Sequence, residues 1–281
     1  MVIANVSDTA RWVALYRAME TDRPDALFKD PFARRLAGAE GEEIVNTIRH
    51  ARAAAWAMIT RTVVFDEVIL AAIKDRGVDL IVNLAAGLDA RPWRLELSPT
   101  LQWVDVDLPG ILQYKTDTLA DVPPKCWYEA IHADLTDPAV RQSLFERLGA
   151  RSSNALVVTE GLLVYLTPEE VGALSTSLAA VPGFRHWLID LASPRLLKWV
   201  ERSWGRSLSN APFLFGPAEG TAFFEKYGWR EERFFSTGEE ARRLRREMRG
   251  AWMWRLIGRL YPKEKQEAFK RFSGYVVLAR T

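Results

Sequence analysis

The sequence predicts a doubly wound α/β fold built on a mostly parallel seven-stranded sheet, and three observations carry the prediction. Short apolar runs rich in Val, Ile and Leu recur from residue 80 onward and are too brief for buried helices. Helical stretches separate them, the alternation that makes a parallel sheet covered on both faces. Several runs end in an acid and a turn, which lines polar groups along one sheet edge.

Composition bounds the class. The 281 residues are 48% hydrophobic and 26% charged, ordinary values for a soluble globular chain long enough for one large domain. A formal net charge of +2 is too small to point to nucleic acid. The one cysteine, Cys126, excludes an intrachain disulfide and argues against a structural zinc site, so the expected compartment is a reducing cytoplasm and no metal is expected. Ser7, Asp8 and Arg11 interrupt any apolar run at the amino end, and no stretch is long enough to span a bilayer. One domain over 1–281 is expected, with a helical cap over 1–76, a core over 77–191, and lid insertions with the last strands over 192–281.

Taken in order, residues 7–20 read as a helix capped by Ser7 or Asp8, with Trp12, Leu15, Tyr16 and Met19 on one face. Asp30 is a cap for a short helix through Leu36, with Pro31 at its first position and Gly38 just past its end. From Gly41 to Arg76 the pattern is helical almost throughout, with an apolar row at Phe65, Ile69 and Ile73 and Gly77 closing it. Because these helices precede the first strand, they read as a cap over the sheet rather than part of its winding. Strands are expected over Leu80–Leu84, Leu101–Val106, Trp127–Ala133, Asn154–Thr159 and Phe184–Leu191, with helices over Pro109–Leu119, Pro138–Leu148 and Thr167–Ala180 between them. Later come helices over Pro194 to about Arg206 and Pro217–Tyr227, a sixth strand over Trp229–Phe235 and a final antiparallel strand over Ser273–Ala279.

The chemistry gathers at the strand ends. The first strand stops at Ala85-Ala86-Gly87, which lets the backbone turn tightly. Asp107 follows Gly87 by twenty residues, the spacing at which nucleotide-binding sheets set an acid against ribose hydroxyls. The dinucleotide fingerprint GxGxxG is absent, so a nicotinamide-dependent oxidoreductase, which shares the opening fold, lacks its main signature. Ala133-Asp134-Leu135 ends the third strand and Thr159-Glu160-Gly161 the fourth. Singly, each acid reads as a solvated loop carboxylate; three at successive strand ends favour a nucleoside site.

These residues also carry a resemblance. Arg61-Thr62 through Phe65-Asp66, Asn83 through Gly87-Leu88-Asp89-Ala90-Arg91, Val104 through Asp107-Leu108-Pro109, Ala133-Asp134-Leu135 and Thr159-Glu160-Gly161 through Val164-Tyr165-Leu166 stand in the order and spacing of the leucine carboxyl methyltransferase family, and the chain resembles that family over nearly its whole length. The family uses S-adenosylmethionine on a Rossmann-like sheet and includes bacterial enzymes that methylate polyketide carboxyl groups. The resemblance implies that Arg61 pairs with the cofactor's carboxylate, a task suited to a guanidinium. It implies that Ala85 and Gly87 let the backbone approach the cofactor, that Asp107 holds the ribose, that Asp134 and Leu135 hold adenine, and that Glu160 lies by the methionine amino group and the transfer site. An amino-terminal basic residue, Arg11 or Arg17, also matches a family contact. The glycine loop departs from the family: Gly-Ala-Gly is usual where Ala85-Ala86-Gly87 stands, and alanine disfavours positive φ. Ala90 stands where threonine is common.

The implied reaction is methyl transfer to an oxygen of a small-molecule acceptor. A carboxylate acceptor is ionised at neutral pH and needs no general base; a phenol or alcohol would benefit from one. Of the three histidines, His50, His132 and His186, the last two read as structural, and Tyr165 with Glu160 is the better pair for orienting an acceptor. The stretch 242–260 reads as a basic amphipathic helix, with Leu244, Met248, Trp252, Leu256 and Leu260 at fours. It admits three readings: a nucleic-acid-binding or anionic-membrane element, a helix packed on the sheet with solvated arginines, or, with Asn210–Gly216, a lid over an apolar acceptor. A protein carboxyl terminus is the alternative acceptor, and a nucleic-acid-binding protein using 242–260 the alternative of another class. No nucleic-acid partner is expected.

Overall fold

Seven strands, β1 (Leu80–Leu84), β2 (Gln102–Asp107), β3 (Trp127–His132), β4 (Ala155–Thr159), β5 (Phe184–Ala192), β6 (Trp229–Ser236) and β7 (Ser273–Arg280), form one sheet in the order β3-β2-β1-β4-β5-β7-β6. The computed structural model describes residues 6–47, 51–205, 210–248, 250–253 and 261–281. β1 to β5 pair in parallel, with the short α4 (Arg91–Arg94) between β1 and β2 and α5 (Pro109–Thr118) between β2 and β3, while β7 runs antiparallel between β5 and β6. Strand order reverses at β1, which lies between β2 and β4, and open sheets of this kind open a crevice outside the carboxyl ends of such strands.

The strand residues alternate between two cores. Leu80, Val82 and Leu84 pack with Leu144 and Phe145 of α6 (Pro138–Gly149) and with Val171, Leu174 and Leu178 of α7 (Pro168–Ala179). Ile81, Leu156 and Val158 face the other way, against Val64, Phe65, Ile69 and Ala72 of α3 (Ala51–Arg76). The second core corrects the reading of all residues before the first strand as a cap. The row Phe65–Ile69 makes the carboxyl half of α3 a covering layer of the sheet, and only its amino half joins α1 (Val6–Thr21) and α2 (Ala33–Thr47) in a third core above the strand ends. α1 begins at Val6, ahead of the expected cap at Ser7 or Asp8. Gly38 does not end its helix: α2 starts at Ala33 and continues past a kink at Gly38 (φ 63°).

Two helices that cover the sheet begin at side-chain caps. Asp137 accepts from the Ala139 and Val140 amides at the start of α6, and Thr167 forms a reciprocal capping box with Glu170 at the start of α7. The expected helix over Pro217–Tyr227 is instead a 3-10 helix, Gly220–Tyr227, after α8 (Pro194–Trp204). The continuous basic helix over 242–260 is not formed in its described part: α9 (Thr237–Arg243) stops at Arg243, Arg245 is left-handed (φ 55°), and Gly250 turns the chain again (φ 82°). Arg249 and residues 254–260 lie outside the described residues, as does His50. Among the described residues no helix is long and apolar enough to cross a membrane.

Candidate active site

All eight residues singled out in the sequence, Arg61, Ala85, Gly87, Asp107, Asp134, Leu135, Glu160 and Tyr165, line one continuous cavity of about 2570 Å³ at the carboxyl edge of the sheet. Its floor is the row of strand-end loops, and its walls are α1, the amino half of α3, α8 and the segment after α9. Cavities for one small molecule measure roughly 300–1000 Å³. There is room for a cofactor and a sizeable second molecule.

The turn after β1 is tied to the end of β2. The Gly87 N–H donates to Asp107 Oδ2 at 2.6 Å and the Leu108 N–H to Asp107 Oδ1 at 2.7 Å. An ionised carboxylate offers about four acceptor sites, so two remain for hydroxyl donors. Burial raises the Asp107 carboxyl above its ordinary range, against the two amide bonds that lower it. Gly87 adopts φ 49°, and a side-chain carbon there would come within 3.2 Å of Ala10 in α1. Ala85 overturns the expectation that alanine holds negative φ: it sits at φ 52°. A non-glycine residue in this region costs about 1–3 kcal/mol, so the turn is held strained by its surroundings.

Asp134 is exposed and held by its own loop, Oδ1 accepting from the Thr136 amide at 2.9 Å and the Thr136 hydroxyl at 2.7 Å. Those bonds lower its pKa and leave Oδ2 for an external donor. The Leu135 carbonyl accepts from Arg141 Nη1 at 2.7 Å, so the Leu135 N–H is the backbone group left for a ligand.

Arg61, on α3, reaches the ends of β4 and β5. Its Nη1 donates to Asp190 Oδ2 at 2.9 Å, and its Nε lies 3.0 Å from Glu160 Oε1 without the alignment of a hydrogen bond. Burial acts to lower its pKa, but Glu160 and Asp190 outweigh burial and raise it, so the guanidinium stays charged. Glu160 also meets Arg91 Nη1 at 2.8 Å. Tyr165 packs edge-on against Phe213, with ring centres 5.4 Å apart, and its hydroxyl donates to Thr9 Oγ1 at 3.4 Å. Burial raises the phenol pKa, keeping it a neutral donor.

Several charged residues here carry no role in the sequence reading. Asp190 lies two residues before the end of β5, close to the strand's carboxyl end where Asp107 ends β2, and that positional likeness is the signal the sequence offers. Arg91 donates to Asp66 Oδ1 at 2.6 Å and Asp89 Oδ2 at 2.7 Å, and Arg94 grips Asp66 with both terminal nitrogens at 2.7 and 2.6 Å. Arg17 lines the cavity, yet its Nε is held by Asp30 at 2.8 Å and its Nη2 by the Leu88 carbonyl at 2.6 Å. Arg11 instead lies over the Tyr114 ring, 4.0 Å from its centre, and does not line the cavity.

The leucine carboxyl methyltransferase family model matches residues 10–179. The chain belongs to that family. A protein of Mycolicibacterium smegmatis assigned to the S-adenosyl-L-methionine-dependent methyltransferases is 31% identical over 258 residues, covering 80% of this chain and 83% of its own. A Parafrankia relative of the same assignment is 35% identical over 199 residues; the match spans 66% of this chain and 64% of the relative, just under two thirds of its length. Among solved structures, a DUF574-family protein of Streptomyces avermitilis shares the fold across 97% of both chains with a TM-score of 0.59 at 16% identity. A Thermobifida fusca protein assigned to the methyltransferases does so across 100% of this chain and 96% of its own, with a TM-score of 0.56 at 14% identity. Family and relatives make S-adenosylmethionine the cofactor of this family member, and the spare acceptors of Asp107, the free Asp134 oxygen and the unaligned buried Nε of Arg61 suit its ribose, adenine and amino-acid ends.

Proposed function

We propose that this family member is an S-adenosylmethionine-dependent O-methyltransferase that esterifies a carboxylate of a small, largely apolar molecule. One observation supports a carboxylate over a hydroxyl. Among the described residues lining the cavity there is no histidine, Tyr165 is held neutral, and Glu160 is engaged by Arg61 and Arg91. An alcohol must lose a proton during transfer, whereas a carboxylate arrives without one.

The residues divide the work. Asp107, Asp134 and Leu135 hold the nucleoside, and Arg61 with Glu160 holds the amino-acid end. S-adenosylmethionine supplies a methyl group already activated on a sulfonium. What the chain adds is alignment and exclusion of water, and alignment alone lowers barriers by roughly 7–11 kcal/mol in favourable model systems. Tyr165 orients the acceptor oxygen by turning its one O–H from Thr9 Oγ1, where it makes a long 3.4 Å bond, to the incoming oxygen. Trp12, Trp56, Met58, Leu196 and Phe213 line the cavity away from the strand ends and suit an apolar acceptor body.

Of the basic stretch, Arg243 forms a two-pronged pair with Glu67 and Arg246 one with Glu20. Arginines engaged in this way favour the lid reading of this segment over a nucleic-acid surface. The test is incubation with methyl-labelled cofactor and a panel of aromatic and long-chain acids. Label released by mild base marks an ester; label that survives base, or resides on a protein carboxyl terminus, overturns the proposal.

A further inference from the structure

We infer that Asp190 is a positioning residue for the cofactor, holding Arg61 and the Glu160–Gly161 turn in the relative placement that receives the amino-acid end of S-adenosylmethionine. The inference rests on the role given to Arg61 above. One carboxylate makes both tethers: Oδ2 accepts from Arg61 Nη1 at 2.9 Å, and Oδ1 from the Gly161 N–H at 2.8 Å. The two partners are themselves in contact. Gly161 sits at φ 71°, and a side-chain carbon there would lie 3.0 Å from Arg61 Nη1, so the guanidinium rests on bare backbone. The strand bearing Asp190 is braced against the same helix a second time, because Tyr275, its register partner on β7, donates through its hydroxyl to the Ala57 carbonyl of α3 at 3.2 Å.

The physical role follows from what Arg61 would do without that anion. Its remaining partner is Glu160, now 3.0 Å away but unaligned. Released from Asp190, the guanidinium is free to turn and form an aligned, charge-assisted pair with Glu160, taking both groups from the ligand together. Held by Asp190, Arg61 is ordered when the chain folds, and binding does not have to immobilise it.

The experiment is a calorimetric titration of S-adenosylmethionine into wild type, Asp190→Asn, Arg61→Ala and the double variant, with ligand-free unfolding midpoints alongside. Asp190→Asn keeps the size and an acceptor oxygen for Gly161 but removes the charge. The expected result is about tenfold weaker binding in each single variant and no further loss in the double, because Asp190 acts through Arg61. Unchanged affinity in Asp190→Asn beside weakened Arg61→Ala overturns the inference alone, as does full additivity in the double variant. Unchanged affinity in Arg61→Ala overturns the role of Arg61, and that of Asp190 with it. Should Asp190→Asn not fold, Gly161→Ala displaces Arg61 with Asp190 intact; the same tenfold loss is expected, and unchanged affinity overturns the inference.

Discussion

The Gly87 N–H donates to Asp107 Oδ2 across twenty residues, so the turn after β1 and the end of β2 are joined by the residue assigned to the ribose. Burial raises the Asp107 pKa, and the sign of the consequence is definite. A carboxyl whose pKa is higher folded than unfolded contributes stability below its unfolded value, near 4, and loses it as pH rises through the folded value. At neutral pH the ionised group therefore costs stability in the ligand-free protein. Because Asn keeps an acceptor for only one of the two amides, the test is the pH dependence: by circular dichroism the midpoint of wild type is expected to fall relative to that of Asp107→Asn as pH rises from about 4 to about 7. A midpoint difference that stays constant or moves in favour of wild type over that range would contradict it.

Asp89 has the opposite sign. Burial acts to raise its pKa, but Arg91, Arg94 and Lys115 outweigh it and bring it down to about 2. Its contribution is present above its unfolded value near 4 and is lost as pH falls toward 2, on the order of 2 kcal/mol. Urea midpoints measured from pH 7 to pH 2 should hold until about pH 4 and then fall, and Asp89→Asn should flatten that fall.

Ala85 carries strain that glycine would not. Relief of the left-handed backbone, about 1–2 kcal/mol, is partly offset by the greater entropy of an unfolded glycine chain. Ala85→Gly is expected to raise stability by about 0.5–1 kcal/mol, seen as a melting midpoint a few degrees higher; a lower midpoint would refute the strain.

Arg246 joins the segment after α9 to α1. It donates to both oxygens of Glu20, at 2.8 and 3.2 Å, and to the Asp25 carbonyl at 2.6 Å, while Glu20 is fully buried. Removing one partner of a buried pair costs roughly 3–5 kcal/mol because the other charge is stranded. Arg246→Ala should lower global stability by about 3 kcal/mol. If urea midpoints stay level while this segment becomes sensitive to protease, the pair fastens only the segment after α9.

Much of this was legible in the chain because its signals are local. Leu80–Leu84 shows as an apolar run broken by small residues, and Asp137 and Thr167 announce their helices by residues within three positions. Asp107 and Glu160 stand at the ends of β2 and β4, positions that counting along the sequence gives. What escaped is set by partners distant in sequence. No local pattern links Arg17 to Leu88, Arg61 to Asp190 or Arg246 to Glu20, separations of 71, 129 and 226 residues. Those pairs also explain why 242–260 misled: Arg243 and Arg246 are drawn to acids on different helices, which a single straight helix would not allow. The strain at Ala85 was hidden because alanine gives no sign of left-handed backbone.

The central claim is that loops after consecutive strands together hold one cofactor, with Asp107 on its ribose. Calorimetric titration of S-adenosylmethionine into wild type and Asp107→Asn tests it most directly. Loss of two charge-assisted hydroxyl bonds predicts a dissociation constant at least tenfold higher, about 1.4 kcal/mol or more. Equal dissociation constants for the two proteins would contradict it.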